Sequence, residues 1–127
     1  MQSKKEVRKE VQDYKKAVVY VRVATSQEKE NDLLAQQEAE CREYATSKGL
    51  ITAHVFSEVA GGSEEDEREA LQEMFEFIAD EKNKVSAVVV SSSDRLSRDA
   101  VQYWRIAEEL NRLGVHLVIA LKSPFRV

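Results

Sequence analysis

The chain has 127 residues, 23 of them acidic and 19 basic, for a net charge of −4. That length supports one domain with a proper core, and the acidic balance excludes a surface that binds nucleic acid all over while leaving room for a local basic site. A single cysteine, Cys41, excludes an intrachain disulfide, and no apolar run approaches the ~20 residues of a membrane span, so a cytoplasmic protein, or a cytoplasmic fragment of one, is expected.

Residues 1–16 are dense in Lys and Glu and lack the apolar stretch of a signal peptide. Val7, Val11 and Tyr14 recur at helical spacing, so this charged extension reads either as a helix on the domain or as a solvated arm. Residues 17–23 (AVVYVRV) read as a buried strand in which Tyr20 and Arg22 are misfits. After the polar segment 26–31, a helix is expected to open at Asp32. Leu33, Leu34, Cys41, Tyr44 and Ala45 form its apolar face, and Gly49 ends it. Cys41 is then a small core residue. Residues 50–56 give a second strand, and 57–67 a loop with Gly61-Gly62 that leads into an acidic helix start. Leu71, Met74, Phe75 and Ile78 make the buried stripe of that helix. Residues 85–90 form a third apolar strand, breaking into SSSDRLSRD at 91–99. The next helix is expected to face Val101, Trp104, Ala107, Leu110 and Leu113 inward and to close at Gly114. Residues 115–121 form a fourth strand, and Pro124 stops it.

The order is β-α-β-α-β-α-β, and the strands read as apolar runs, which points to parallel strands covered on both faces. Right-handed crossovers give an α/β fold, an open doubly wound, mainly parallel four-stranded sheet with helices on both faces. In that fold the loops after the strands gather at one edge. The first brings Arg22, Thr25 and Ser26. The second brings Glu58, Gly61, Gly62 and Ser63, with Arg68 at the helix start. The third brings Asp94, Arg95 and Arg98, and a helical turn would put the last two on one side. Arginine's fork suits phosphate oxygens, so this edge reads as an anion site. Sequence neighbours such as Asp94-Arg95 and Arg98-Asp99 are equally what weak surface pairs look like. There is no P-loop and no Gly-rich dinucleotide turn. His54 and His116 fall in strands with no metal-ligand spacing around them. No metal and no cofactor is expected.

Two motifs carry a resemblance. Tyr20-Val21-Arg22-Val23-Ala24-Thr25-Ser26-Gln27 resembles the Tyr-x-Arg-Val-Ser-Thr start of the serine recombinases of the resolvase/invertase type. Ser93-Asp94-Arg95-Leu96-Ser97-Arg98-Asp99 resembles their Asp-Arg-Leu-x-Arg motif. Leu33-Leu34-Ala35-Gln36-Gln37 and Cys41-Arg42-Glu43-Tyr44-Ala45 are similar to the first helix of the larger members, those of transposons and phages. The match runs from residue 17 to residue 125. It implies a site-specific DNA recombinase in which a serine hydroxyl attacks a phosphodiester and forms a 5′-phosphoserine link, without metal or nucleotide. Implied partners are double-stranded DNA and further copies of the chain, as a dimer and a synaptic tetramer. By the same resemblance Arg22, Arg95 and Arg98 match the active-site arginines, and Arg68 matches another after a one-residue adjustment of the loop before it. Asp94 matches the motif's acid, Tyr20 the first-strand tyrosine and Gln36 a first-helix glutamine. Glu58 falls where many members have an acidic residue, and Gly61 where the small resolvases have a serine. Residues 17–127 would be a catalytic domain ending before the family's long dimerisation helix and DNA-binding region.

One residue departs from the pattern. Ala24 stands at the position of the family's nucleophilic serine, and a methyl group has no lone pair with which to attack phosphorus. Thr25 and Ser26 are adjacent, but a one-residue shift reverses side-chain direction in an extended segment. Two explanations stand open: a serine replaced deliberately to trap an uncleaved form, or a natural variant that binds or regulates without cutting. The arginine edge taken alone also fits a small-molecule phosphate or nucleotide enzyme.

Overall fold

The computed structural model describes residues 15–23, 28–59 (side chains from 32 on) and 68–120. Ala24, Thr25, Ser26, Gly61, Gly62, Ser63, Pro124 and the stripe of Val7, Val11 and Tyr14 lie outside the described residues. The strands are β1 (Lys15–Val23), β2 (Leu50–Val59), β3 (Val85–Val90) and β4 (His116–Ile119). The helices are α1 (Glu28–Ser47), α2 (Glu69–Ala79), α3 (Ser93–Leu96) and α4 (Ala100–Arg112), with a 3-10 turn at Glu81–Asn83. The sheet order is β2-β1-β3-β4, and every pairing is parallel.

β1 and β3 are the inner strands, and their apolar runs are buried on both faces. Successive side chains alternate across the pleat. Val18 and Tyr20 therefore join Val88, Val90, Phe56, Leu71, Met74, Ile106 and Leu110 in one core, under α2 and α4. Ala17, Val19 and Val21 join Ala87, Val89, Cys41 and Ala45 in the other, under α1. Cys41 is a core residue as expected, and burial pushes its thiol up to about 12. Both helix-ending glycines adopt the left-handed backbone that side chains resist, Gly49 at φ 78° and Gly114 at φ 77°. None of the described helices is long and apolar enough to cross a membrane.

Several boundaries and faces differ from expectation. β1 begins at Lys15, and α1 begins at Glu28 rather than Asp32. β2 runs on through Ser57 and Glu58 to Val59, because its whole length pairs with β1, Tyr20 against Phe56 and Arg22 against Glu58. Glu58 is thus a strand residue, not a loop residue. Tyr20 is no misfit: its ring is wholly inside the core. On α4, Val101 and Trp104 are 59% and 67% exposed, while Ile106 and Leu110 are buried with Tyr103 and Leu113 against them. Steps of three alone drift around a helix, whereas the steps of three, four and three from Tyr103 through Ile106 and Leu110 to Leu113 hold one face. Leu33 on α1 is likewise exposed.

Candidate active site

The C-terminal edge of the sheet is where β1 and β2 deliver Arg22 and Glu58, side by side in register and on the face of the sheet that carries Tyr20. The backbone of Arg22 is held by a side chain from α1. Its N–H donates to Gln37 Oε1 at 3.1 Å, and its carbonyl accepts from Gln37 Nε2 at 3.0 Å. Gln37 is buried, so the pair of bonds satisfies both ends of an amide that would otherwise be stranded. Gln36, the glutamine singled out from the sequence, is exposed, and its Nε2 donates to Glu40 Oε2 at 3.3 Å. Gln37 was missed, yet a signal for it existed. Leu34, Gln37, Cys41, Tyr44 and Ala45 lie on a single helical stripe, and Gln36 lies off it.

The segment after β3 closes over Arg22. The Arg22 guanidinium donates through Nη1 to the Asp94 carbonyl at 3.2 Å, and Arg95 Nη1 donates to the Arg22 carbonyl at 3.2 Å. The Ser92 hydroxyl donates to Asp94 Oδ1 at 2.5 Å. That bond, then the bond from its own backbone and the charges of Arg95 and Arg98, holds the Asp94 carboxyl below its usual range. Arg95 and Arg98 do not share a helical turn. Ser97 is extended, at φ −168° and ψ 141°, and its hydroxyl bonds the Asp99 backbone. Asp99 in turn caps α4 by accepting from the Val101 N–H at 3.0 Å. Arg98 therefore sits exposed in the link between α3 and α4, with its charge still felt at Arg22.

Arg68, just ahead of α2, is buried beneath this layer. Its Nη2 donates to the Tyr20 hydroxyl at 2.7 Å and to the Leu96 carbonyl. The Tyr20 hydroxyl donates to Glu58 Oε1 at 2.7 Å, and burial above all raises its pKa, keeping it neutral. The Glu58 carboxylate also accepts the Ala70 and Leu71 N–H groups at 3.0 and 3.1 Å, in the first turn of α2. Arg22 feels burial first and then the charge of Arg68 and Arg98, all of which lower its pKa. Among the described residues, the only ion pairs within 4.0 Å are Arg42–Glu38 and Arg112–Glu109, and neither involves this cluster. The Nε atoms of Arg22 and Arg68 are buried without a partner. The edge is a convergence of cations with donors left over, suited to an anion with several acceptor oxygens. The grooves flanking it are open. One of about 310 Å³ runs past Gln36, Gln37, Ser92 and Arg95, and one of about 540 Å³ past Asp94, Arg98, Tyr103 and Trp104. No cluster of metal-ligating side chains occurs among the described residues. His54 stacks against Phe56 and Phe77 away from the edge.

Residues 17–124 match the family model described as resolvase, N-terminal domain. Among solved structures, the chain is similar to the C-terminal catalytic domain of ISC1926 TnpA, an IS607-like serine recombinase. That match has 26% identity and a TM-score of 0.70, and covers 87% of this chain and 71% of the other. A resolvase family site-specific recombinase from Streptococcus pneumoniae aligns at 22% identity with a TM-score of 0.71, over 84% of this chain and 72% of that one. The N-terminal catalytic domain of TP901-1 integrase aligns at 22% identity with a TM-score of 0.69, over 84% and 77%.

Proposed function

The chain belongs to the family of resolvase N-terminal domains, and we propose on that footing that its arginine edge holds the phosphodiester of a DNA strand during site-specific recombination. One observation carries this reading. Arg22, Arg68, Arg95 and Arg98, from three separate segments, converge at one sheet edge with no carboxylate paired to any of them among the described residues. Arg22 and Arg95 are each fixed through a single Nη1, which leaves Nη2 of each for phosphate oxygens. As phosphorus takes on a fifth oxygen, negative charge grows on its equatorial oxygens, and pre-placed guanidinium groups stabilise it without reorganising. Asp94, anchored by Ser92, sets the segment that carries Arg95 and Arg98. Tyr20 aligns Arg68, and Gln37, with Gln36 beside it, holds α1 to the end of β1.

In this reading the missing part is the nucleophile. With Ala24 in the serine position, the chain binds and orients a phosphodiester and does not cut it. Its partners are duplex DNA, held weakly by this domain alone, and further copies of itself. It works in the reducing cytoplasm, where Cys41 stays a thiol. The test is Ala24→Ser in a full-length protein presented with its DNA site. The expected result is a covalent protein–DNA adduct, through a phosphoserine ester, that the alanine form does not give. Absence of that adduct under trapping conditions overturns the reading. A small-molecule phosphate enzyme is disfavoured, because it needs an enclosed pocket and the grooves at this edge are open.

A further inference from the structure

Glu58 is a buried carboxylate with no ion-pair partner among the described residues, and it has two contacts of different kinds. It accepts the Ala70 and Leu71 N–H groups, which makes it the cap of α2 in place of Arg68, whose side chain caps nothing. It also accepts the Tyr20 hydroxyl, which thereby has its own lone pair turned to Arg68 Nη2. We propose that Glu58 is a positioning residue for Arg68, acting through Tyr20, so that the α2 cap and the aim of the buried guanidinium are set by one carboxylate.

The argument is one of donors and acceptors. A tyrosine hydroxyl has one proton. With that proton committed to Glu58, Tyr20 can only accept from Arg68, and burial keeps the proton on. Arg68 Nη2 then has both its N–H groups engaged, one to Tyr20 and one to the Leu96 carbonyl, and the guanidinium lies over the Tyr20 ring with 5.5 Å to the ring centre. Its position is fixed from β1, β2 and the end of α3 together, while Nε is left unpartnered. A neutral amide at position 58 has one acceptor oxygen, where three donors now share two. Glu58→Gln must therefore release at least one of them and remove the negative charge that Tyr20 bonds.

This role rests on the phosphodiester reading only for its purpose, and the experiment separates the two. Side-chain NMR of the chain with 15N-labelled arginine compares the parent with Glu58→Gln and Tyr20→Phe. The readouts are the exchange rate of the Arg68 Nε–H with water, the hydrogen-exchange protection of the Ala70 and Leu71 amides, and binding of inorganic phosphate. Both variants are expected to speed Arg68 exchange by about tenfold, the size of one hydrogen bond to a charged group, and to weaken phosphate binding. Tyr20→Phe is expected to do so with the α2 amides as protected as in the parent, because Glu58 still caps them. Unchanged Arg68 exchange in Tyr20→Phe, with only α2 protection lost in Glu58→Gln, overturns the proposal and leaves Glu58 a cap. If the parent takes up no phosphate, the phosphodiester reading fails, and Arg68 exchange still decides the positioning role.

Discussion

At the scale of single residues, the two glutamines in succession on α1 make a sharp comparison. Gln37 closes both hydrogen bonds of the Arg22 peptide from a buried position, and Gln36 reaches only along its own helix from an exposed one. Gln37→Ala leaves a backbone donor without a partner and is expected to cost about 1–3 kcal/mol. Gln36→Ala is expected to stay within about 0.5 kcal/mol. Urea unfolding of the two variants checks both, and equal costs would remove Gln37 from the site's support. Cys41 gives a second prediction at this scale. Burial, with a contribution from the Glu40 charge, lifts its thiol from an ordinary 9.0 to about 12, and burial lifts the Tyr20 hydroxyl as well. An acid whose folded pKa is raised lends stability that is whole below its unfolded pKa and is lost as pH rises through the folded one. Stability is therefore expected to hold below the ordinary thiol value of 9.0 and to fall as pH climbs from there toward about 12. Cys41→Ala should flatten that fall, measured as the change in unfolding free energy between about pH 8 and about pH 11. An identical slope in the variant would show that the thiol does not titrate with unfolding.

At the scale of elements, what was legible in the sequence and what was not divide by the kind of signal. β1 and β3 are inner strands, and an apolar run is their direct consequence, so residues 85–90 match to the residue. Gly49 and Gly114 were legible because a positive φ leaves few other choices. On α4, Leu110 and Leu113 face inward as expected, but Val101 and Trp104, the apolar start of the helix, are exposed, and Tyr103 and Ile106 take their place against the sheet. Ile106→Ala is accordingly expected to cost about 2–5 kcal/mol, and Trp104→Ser no more than about 0.5 kcal/mol, by chemical unfolding of each. The reverse order would restore the original face. The convergence of arginines at one edge was legible, since the end of β1 and the segments after β2 and β3 deliver them by topology. Its support was not. The strand position of Glu58, and with it the Tyr20 contact, emerged only when β2 extended past Phe56, and the split between Arg95 and Arg98 only when Ser97 proved to end the helix. Spacing along a chain carries no information about where a hydroxyl will break a turn.

For the whole molecule, the governing fact is an uneven charge distribution: −4 overall, yet four arginines drawn to one edge. Their mutual repulsion is visible in Arg22, whose pKa is lowered by the charges of Arg68 and Arg98 on top of burial. Folding assembles this repulsion, and an anion bound only by the folded chain relieves it, so phosphate should stabilise the domain by mass action. At ten times its dissociation constant a single bound ion adds about 1.4 kcal/mol, and the gain levels off into a logarithmic rise. Phosphate also stabilises proteins generally, by exclusion from their surface, and that effect grows steadily with concentration and needs no site. Arg98 tells the two apart. It is exposed and makes no hydrogen bond within the described residues, so Arg98→Gln removes a cation from the edge with little cost to the fold. Thermal unfolding of parent and variant in rising phosphate, against chloride at equal ionic strength, should show the early, curved part of the stabilisation in the parent and lose much of it in Arg98→Gln. The shallow general rise should survive in both. Superimposable curves would mean that the arginines are dispersed surface charges, and that the edge does not act as one anion site.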